Sequence, residues 1–264
     1  MLFAVACAPS IGPVLHQRGD AAVLDAARDA GAPGFRPEPG TSWQFQLTGP
    51  IDRTVDVEAY VIDLFDAGDD DLTALHADGR AVICWLSVGT YEPWRPDAEA
   101  IPEELRGSPL GTRGERFTDV RDTRVRALVA ARLDLAVSRG CDAVAPANVD
   151  AFENDSGFAI TADDQLAFNR WVASEAHARS LSVGLVNDTT QVDALVSEFD
   201  WALVQQCFQF DECALLRPFI EARRAVFHVE YELDASEFCD AANALDFDSL
   251  QKNASLDAFR VACR

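Results

Sequence analysis

Lysine is almost missing from this chain. Lys252 is the single lysine, so arginine supplies the other cations, and methionine occurs once and tyrosine three times in 264 residues. Twenty-two basic residues face 44 acidic ones, for a formal charge of −22 and a pI near 4.4. So negative a surface repels phosphate backbones and anionic lipid. It excludes nucleic acid and acidic membranes as natural partners and favours a cationic ligand or a heavily solvated exterior. No stretch is long and apolar enough to span a bilayer. The four histidines, His16, His76, His177 and His228, are scattered, and none falls in a triad motif or completes a zinc pattern with the cysteines. No metal and no cofactor is expected.

Hydrophobic residues make up 48% of the chain and charged ones 25%, ordinary for a globular protein. The length suits a single (β/α)8 barrel of ~250 residues or two small domains. Seven cysteines are many, and the odd count singles out Cys7. Met1-Leu-Phe-Ala-Val-Ala-Cys7 resembles the end of a secretory signal with a lipobox-like cysteine, although a basic start is missing. The stretch from there through Gly40 reads as a signal remnant and flexible linker, with the barrel over residues 41–264. The remaining six cysteines could form three bridges. Cys207 and Cys213 close a short loop, Cys239 and Cys263 would tie the chain's last elements together, and Cys84 and Cys141 either pair or stay as buried thiols. A secreted or lipid-anchored monomer is expected.

Eight short apolar runs read as strands: 43–47, 60–65, 80–87, 141–147, 182–188, 201–207, 225–231 and 247–252. Helical segments lie between several of them, as over Asp69–Gly79, which opens on three aspartates, Asp122–Arg139, and Thr161–His177. This alternation predicts an α/β fold, a single (β/α)8 TIM barrel. Such barrels place their chemistry at the C-terminal strand tips. The tips and the loops after them carry Trp43, Asp63, Ser87, Tyr91, Asn148, Asp150, Asn187, Asp188, Gln205, Glu230, Tyr231 and Lys252. Each has an ordinary structural reading: Asp63 can sit in an ion pair, and Lys252 can pair with the acidic ring. Together they predict a polar, aromatic-edged mouth that could stack on and hydrogen-bond a sugar.

Residues 140–152, Gly-Cys-Asp-Ala-Val-Ala-Pro-Ala-Asn-Val-Asp-Ala-Phe, form the centre of this pattern. With Asp63-Leu-Phe-Asp66, Ser87 and Gly89, Asp164-Gln-Leu166 and Asn169, Asn187-Asp188 and Gln191, Gln206-Cys-Phe208 with Glu212-Cys213, and Glu230-Tyr231, they resemble glycoside hydrolase family 114 over about residues 43–264. The resemblance implies a secreted (β/α)8 barrel whose members cleave α-1,4-linked galactosamine polymers internally. It also exposes two departures. Where the family has a Glu-Pro-Asp-Asn motif on strand four, this chain has Ala145-Pro-Ala147-Asn148. Where the family has a glutamate directly before Gln-Cys-Phe on strand six, it has Gln205. Those are the family's proposed catalytic carboxylate positions.

Glycoside hydrolysis needs one group to protonate the leaving oxygen and another to act as nucleophile or base. Alanine does neither, and a glutamine amide keeps only the shape and hydrogen bonding of glutamate. Loss of acid–base assistance alone costs ~10²–10⁴ in rate. Three readings follow: a catalytically impaired homologue that binds a cationic, galactosamine-containing polysaccharide; a hydrolase with relocated carboxylates drawn from Asp150, Glu230 and Asp63; or a disabled form of an active enzyme. The further change at Ala145 speaks against the third. A Schiff-base role for Lys252 lacks a recognisable carbonyl pocket and gives way to ion pairing.

Overall fold

The computed structural model describes residues 34–111 and 113–264. Cys7 and the lipobox-like start lie outside the described residues. Eight strands run parallel in one curled sheet, in the order β1 (Trp43–Phe45), β2 (Ala59–Asp63), β3 (Ala81–Ser87), β7 (Ala143–Ala147), β8 (Ser182–Val186), β9 (Trp201–Gln205), β10 (Val226–Glu230) and β11 (Asp248–Gln251). The fold is a (β/α)8 barrel, and all eight predicted strands are present with ends shifted by a few residues. Helices α1 (Asp69–Ala77), α2 (Thr123–Arg139), α3 (Ala162–Ala178), α4 (Val192–Leu195), α5 (Arg217–Glu221) and α6 (Ala235–Ala244) follow strands in turn. Local sequence explains their ends. Asp122 accepts the Arg124 N–H and Gly140 closes α2 at φ 82, while Thr161 and Asp164 form a reciprocal capping box on α3.

Two cores result from the strand alternation. Phe45, Val61, Ile83, Ala145, Leu203, Phe227 and Leu250 fill the barrel interior. Tyr60, Ile62, Val82, Cys84, Val144, Leu185 and Val204 face the helices. Trp43 belongs to the interior at the opposite, N-terminal end. Its ring stacks on Phe227 at 4.4 Å and its Nε1 donates to the Asp248 carbonyl. The expectation that it edges the mouth is therefore corrected: as the first residue of its strand, Trp43 stands a full strand length from the C-terminal tips.

The seam between β11 and β1 is bridged by the C-terminal chain. Strand β12 (Val261–Ala262) pairs antiparallel with β11, and the Leu256 carbonyl accepts the N–H groups of Leu47 and Thr48. Lys252 is buried here, with Nζ donating to Gln44 Oε1 at 3.2 Å and to the Asp257 carbonyl at 2.8 Å. Burial pushes its pKa down to about 8. It makes no ion pair with the mouth carboxylates, which corrects the pairing expected for it. Residues 35–37, just before β1, contact the barrel. Arg36 reaches Asp200, the Pro37 carbonyl accepts the Ala225 N–H, and Phe35 packs on the barrel interior.

Three disulfides staple the barrel, Cys84–Cys141, Cys207–Cys213 and Cys239–Cys263. The first joins β3 to the chain entering β7, and the last ties α6 to the C-terminal strand. Between β3 and α2 the chain leaves the barrel as a small antiparallel sheet of β4 (Thr90–Tyr91), β5 (Arg106–Leu110) and β6 (Glu115–Thr118), which lies outside the eight predicted strands. Among the described residues no helix is long and apolar enough to cross a membrane.

Candidate functional site

The mouth is built where β7 ends. Pro146 has no N–H, and the pairing of β7 with β8 stops at Val144–Val183, while β7 stays paired to β3 as far as Ser87–Ala147. The two strands are thereby freed at their tips. Asn148, Asn187 and Asp188, just past these tips, and Gln206, just past β9, hold left-handed φ values of 61°, 53°, 40° and 60°. Such positions cost a non-glycine residue energy and concentrate at binding sites. Gly89 makes the approach possible, because a Cβ there would lie 1.7 Å from the Asn148 carbonyl oxygen.

Ala147 points into the barrel and is almost fully buried. Gln205, half-buried at the tip of β9, shares the inward parity of Trp201 and Leu203. Neither carries an ionisable group. Beside Ala147, the Asn148 amide donates to Ser87 Oγ at 3.0 Å, Thr90 Oγ1 at 3.1 Å and Glu115 Oε1 at 3.2 Å. Burial raises the Glu115 pKa. Glu115 lies outside the eight predicted strands and arrives from β6, whose Glu-Arg-Phe-Thr stretch has no apolar–polar alternation, so no local pattern marks it.

Asp150 and Asp188 follow the tips of β7 and β8, and the charge of Asp150 is felt at Asp188. Asp150 is half-buried, and burial raises its pKa. Asp188 is 2% exposed. Burial first, then the charges of Asp150 and Glu153, push it up to about 8, against one opposing hydrogen bond from Asn169. The Asn169 amide, on α3, donates both to Asp188 Oδ2 at 2.7 Å and to the Val149 carbonyl at 2.9 Å. It thus clamps the exits of β7 and β8 together. Tyr231 is half-buried, packs against the barrel interior and has its hydroxyl pKa raised by burial.

Several expected members stand elsewhere. Asp63 is gripped by Arg95, with contacts of 2.9 and 2.6 Å, and also accepts the Phe65 and Asp66 N–H groups. Arg95 in turn holds Glu92, and Arg132 holds Asp97. Asp63 is therefore committed to a buried ion-pair network and is removed as a reacting carboxylate. Glu230 is fully buried on the helix-facing side of β10, where Oε1 accepts the Phe208 N–H at 2.8 Å and lies 3.0 Å from His228 Nε2. Tyr91 lies under Arg106, whose guanidinium is 4.0 Å from its ring, against Ile101, Leu105, Val125 and Leu128. Glu230 and Tyr91 are therefore corrected as well. Two other aromatics are exposed, Trp94 and Phe210, 39% and 59% on loops beyond β4 and β9, with Arg113 lying 4.9 Å over the Trp94 ring.

The His228 ring also lies 2.9 Å from Ser249 Oγ, and burial lowers its pKa. With a carboxylate at Nε2 the ring proton sits there, and Nδ1 accepts the serine hydroxyl. This Ser–His–Glu line is wholly buried among the helices and presents no nucleophile to a substrate. Cys207, Cys213 and His228 bring their ligand atoms within 4.8 Å of one another, but both sulfurs are spent in a disulfide.

A parallel (β/α)8 barrel with amides, carboxyls and exposed aromatics around its C-terminal mouth is the architecture of a carbohydrate-active protein. The chain belongs to glycoside-hydrolase family GH114, whose model matches residues 24–264. Ega3 of Aspergillus fumigatus, solved in complex with galactosamine, is 34% identical, with 87% of this chain and 98% of that one covered and a TM-score of 0.83. The glycoside hydrolase domain of PelA from Pseudomonas aeruginosa shares the fold at 12% identity, with 84% and 97% covered and a TM-score of 0.66. No curated protein matches the chain.

Proposed function

We propose that this protein is an extracellular, catalytically impaired member of its family that binds a galactosamine-containing polysaccharide. One observation carries the reading. Ala147 and Gln205 occupy the inward-facing tips of β7 and β9, the positions the family resemblance gives to the reacting carboxylates, and no acid or nucleophile stands there. Binding groups nevertheless persist. Asn148, Asn187, Asp150, Asp188 and Tyr231 follow the strand tips, Ser87 and Glu115 are organised by the Asn148 amide, and Phe210 offers an exposed ring, while Trp94 has Arg113 over one face at 4.9 Å. A protonated polymer would be drawn to the −22 charge at long range and to the acidic mouth at contact. The three disulfides fit an oxidising exterior, and Cys7 would serve as a lipid anchor. The protein acts as a monomer.

The relocated-carboxylate reading retains one support, the Asp150–Asp188 pair, because Asp188 keeps a proton at neutral pH while Asp150 is the more accessible. Titration calorimetry of the protein with size-fractionated, partly deacetylated α-1,4-galactosaminogalactan tests the main reading. Saturable binding with unchanged polymer length supports it. Progressive shortening of the polymer during the titration transfers the case to the carboxyl pair.

A further inference from the structure

The described residues bury six carboxylates: Asp63, Glu92, Asp188, Asp200, Glu230 and Asp248. Five meet a basic side chain. Asp63 and Glu92 share Arg95, Asp200 has His177 and Arg36, Asp248 has Arg264, and Glu230 has the His228 ring. Asp188 meets none. Its Oδ2 accepts the Asn169 amide, its Oδ1 is buried with no hydrogen-bond partner, and the nearest charges, on Asp150 and Glu153, have its own sign. A carboxylate so placed costs stability unless a cation meets it. Four of the other five meet a cationic side chain, and Glu230, whose Oε2 is also unpartnered, has the neutral His228 ring as an N–H donor; Asp188 alone has no basic side chain, and like charges lie near it.

We propose that Asp150 and Asp188 form an ammonium-recognition subsite that takes the protonated amino group of an amino-sugar unit, the ligand providing the missing cation. The inference rests on the reading of the chain as an amino-sugar binder and names the groups that select the amine. Asp188 is already immobile, because Asn169 holds it and the Gln165 amide in turn holds Asn169 Oδ1 at 2.9 Å. Little ordering is left to be done on binding. Asp150, half-buried, is the member a ligand reaches first. An ammonium group brings three N–H donors and a full charge to two carboxyls. An N-acetylated unit brings one N–H, no charge and three additional heavy atoms, so the subsite discriminates against it.

Proton balance gives a second readout. Empty, Asp188 holds a proton near neutral pH, under the influence of Asp150 and Glu153, with the neutral amides of Asn169 and Gln165 behind it and Glu212 beyond Thr189. When the ammonium group arrives, the Asp188 O–H bond breaks, the proton passes to buffer, and the carboxylate left behind pairs with the unchanged ammonium.

The test is calorimetry at pH 6.5 with an α-1,4-linked galactosamine tetramer and its fully N-acetylated counterpart, each in phosphate and in HEPES to count protons. Wild-type protein is expected to prefer the amine at least tenfold and to release a proton. In Asp188→Asn and Asp150→Asn the preference falls toward unity, and Asp188→Asn releases no proton. An Asp188→Asn protein that keeps both the preference and the proton release overturns the inference and leaves the binding reading standing. If neither tetramer binds wild-type protein, the binding reading falls. The subsite is then judged alone by titrating methylammonium against the carboxyl carbon-13 resonance of Asp188. A saturable shift that Asp150→Asn weakens sustains it, and a flat titration overturns it.

Discussion

Asn187 turns its side-chain carbonyl onto the main chain of the neighbouring strand, where Oδ1 accepts the Gln205 N–H at 3.0 Å. The tip of β9 is thus held in place by a backbone contact that is indifferent to whether residue 205 ends in an amide or a carboxylate. Ala147 is secured in the same manner, through the backbone pairing of β7 with β3 that runs to Ser87. On the proposed reading, the backbone of the mouth is held independently of the side chains at 147 and 205, so an acid placed at either position meets a tip already fixed by main-chain contacts.

The Asp63–Arg95 pair sets the first stability prediction. Both side chains are nearly sealed from solvent, and Arg95 also serves Glu92 and Asp66. Removing the cation by Arg95→Ala strands the buried Asp63 and leaves Glu92 only Arg132 at 3.7 Å, and should cost about 3–5 kcal/mol, read as a lowered urea midpoint at unchanged slope. A loss under ~1 kcal/mol contradicts the assignment of Asp63 to structure.

Much of this arrangement was legible in the sequence, and the part that was not has a common cause. Eight apolar runs separated by helical spacing specify the barrel, and Gly140 and Thr161 announce their helix ends. Strands covered on both faces, however, read as continuous apolar runs, so parity is hidden. His228 and Glu230 share one face of β10 while Phe227 and Val229 share the other, and Glu230 looked like a mouth residue only because it stands at a strand tip. Trp43 misled for the converse reason, since an inward-facing aromatic at the start of a strand fills the far end of the barrel. Glu115 and the Arg95 network depend on contacts between distant segments, for which local pattern carries no signal.

The disulfides should contribute unequally. Cys84–Cys141 closes 57 residues and Cys207–Cys213 closes six. In the chain-entropy account the difference is about 2 kcal/mol in favour of the longer loop. Cys84→Ala with Cys141→Ala should therefore lower the urea-derived stability more than Cys207→Ala with Cys213→Ala. The reverse order would show that native packing around the short loop outweighs chain entropy.

Asp188 makes stability depend on pH in the opposite direction from an ion-paired acid. Its folded pKa of about 8 lies above the ordinary aspartate value of 3.8, so between those values the folded chain binds the extra proton and stability falls as pH rises. The loss is complete only above the folded value and has an upper limit on the order of 5 kcal/mol. Asp188→Asn cannot ionise, so unfolding curves at pH 4.5 and pH 8 should show the variant gaining on wild type by a few kcal/mol at the higher pH. Parallel pH profiles for the two proteins would contradict the unmatched burial of Asp188.

The most direct measurement of the central claim is the release of new reducing ends from partly deacetylated α-1,4-galactosaminogalactan, by wild-type protein and by an Ala147→Asp, Gln205→Glu double variant side by side. The account predicts background release from the wild type and clear release from the double variant, because the mouth still holds the polymer and lacks only its two reacting groups. Release well above background from the wild type would contradict it and direct attention to Asp150 and Asp188.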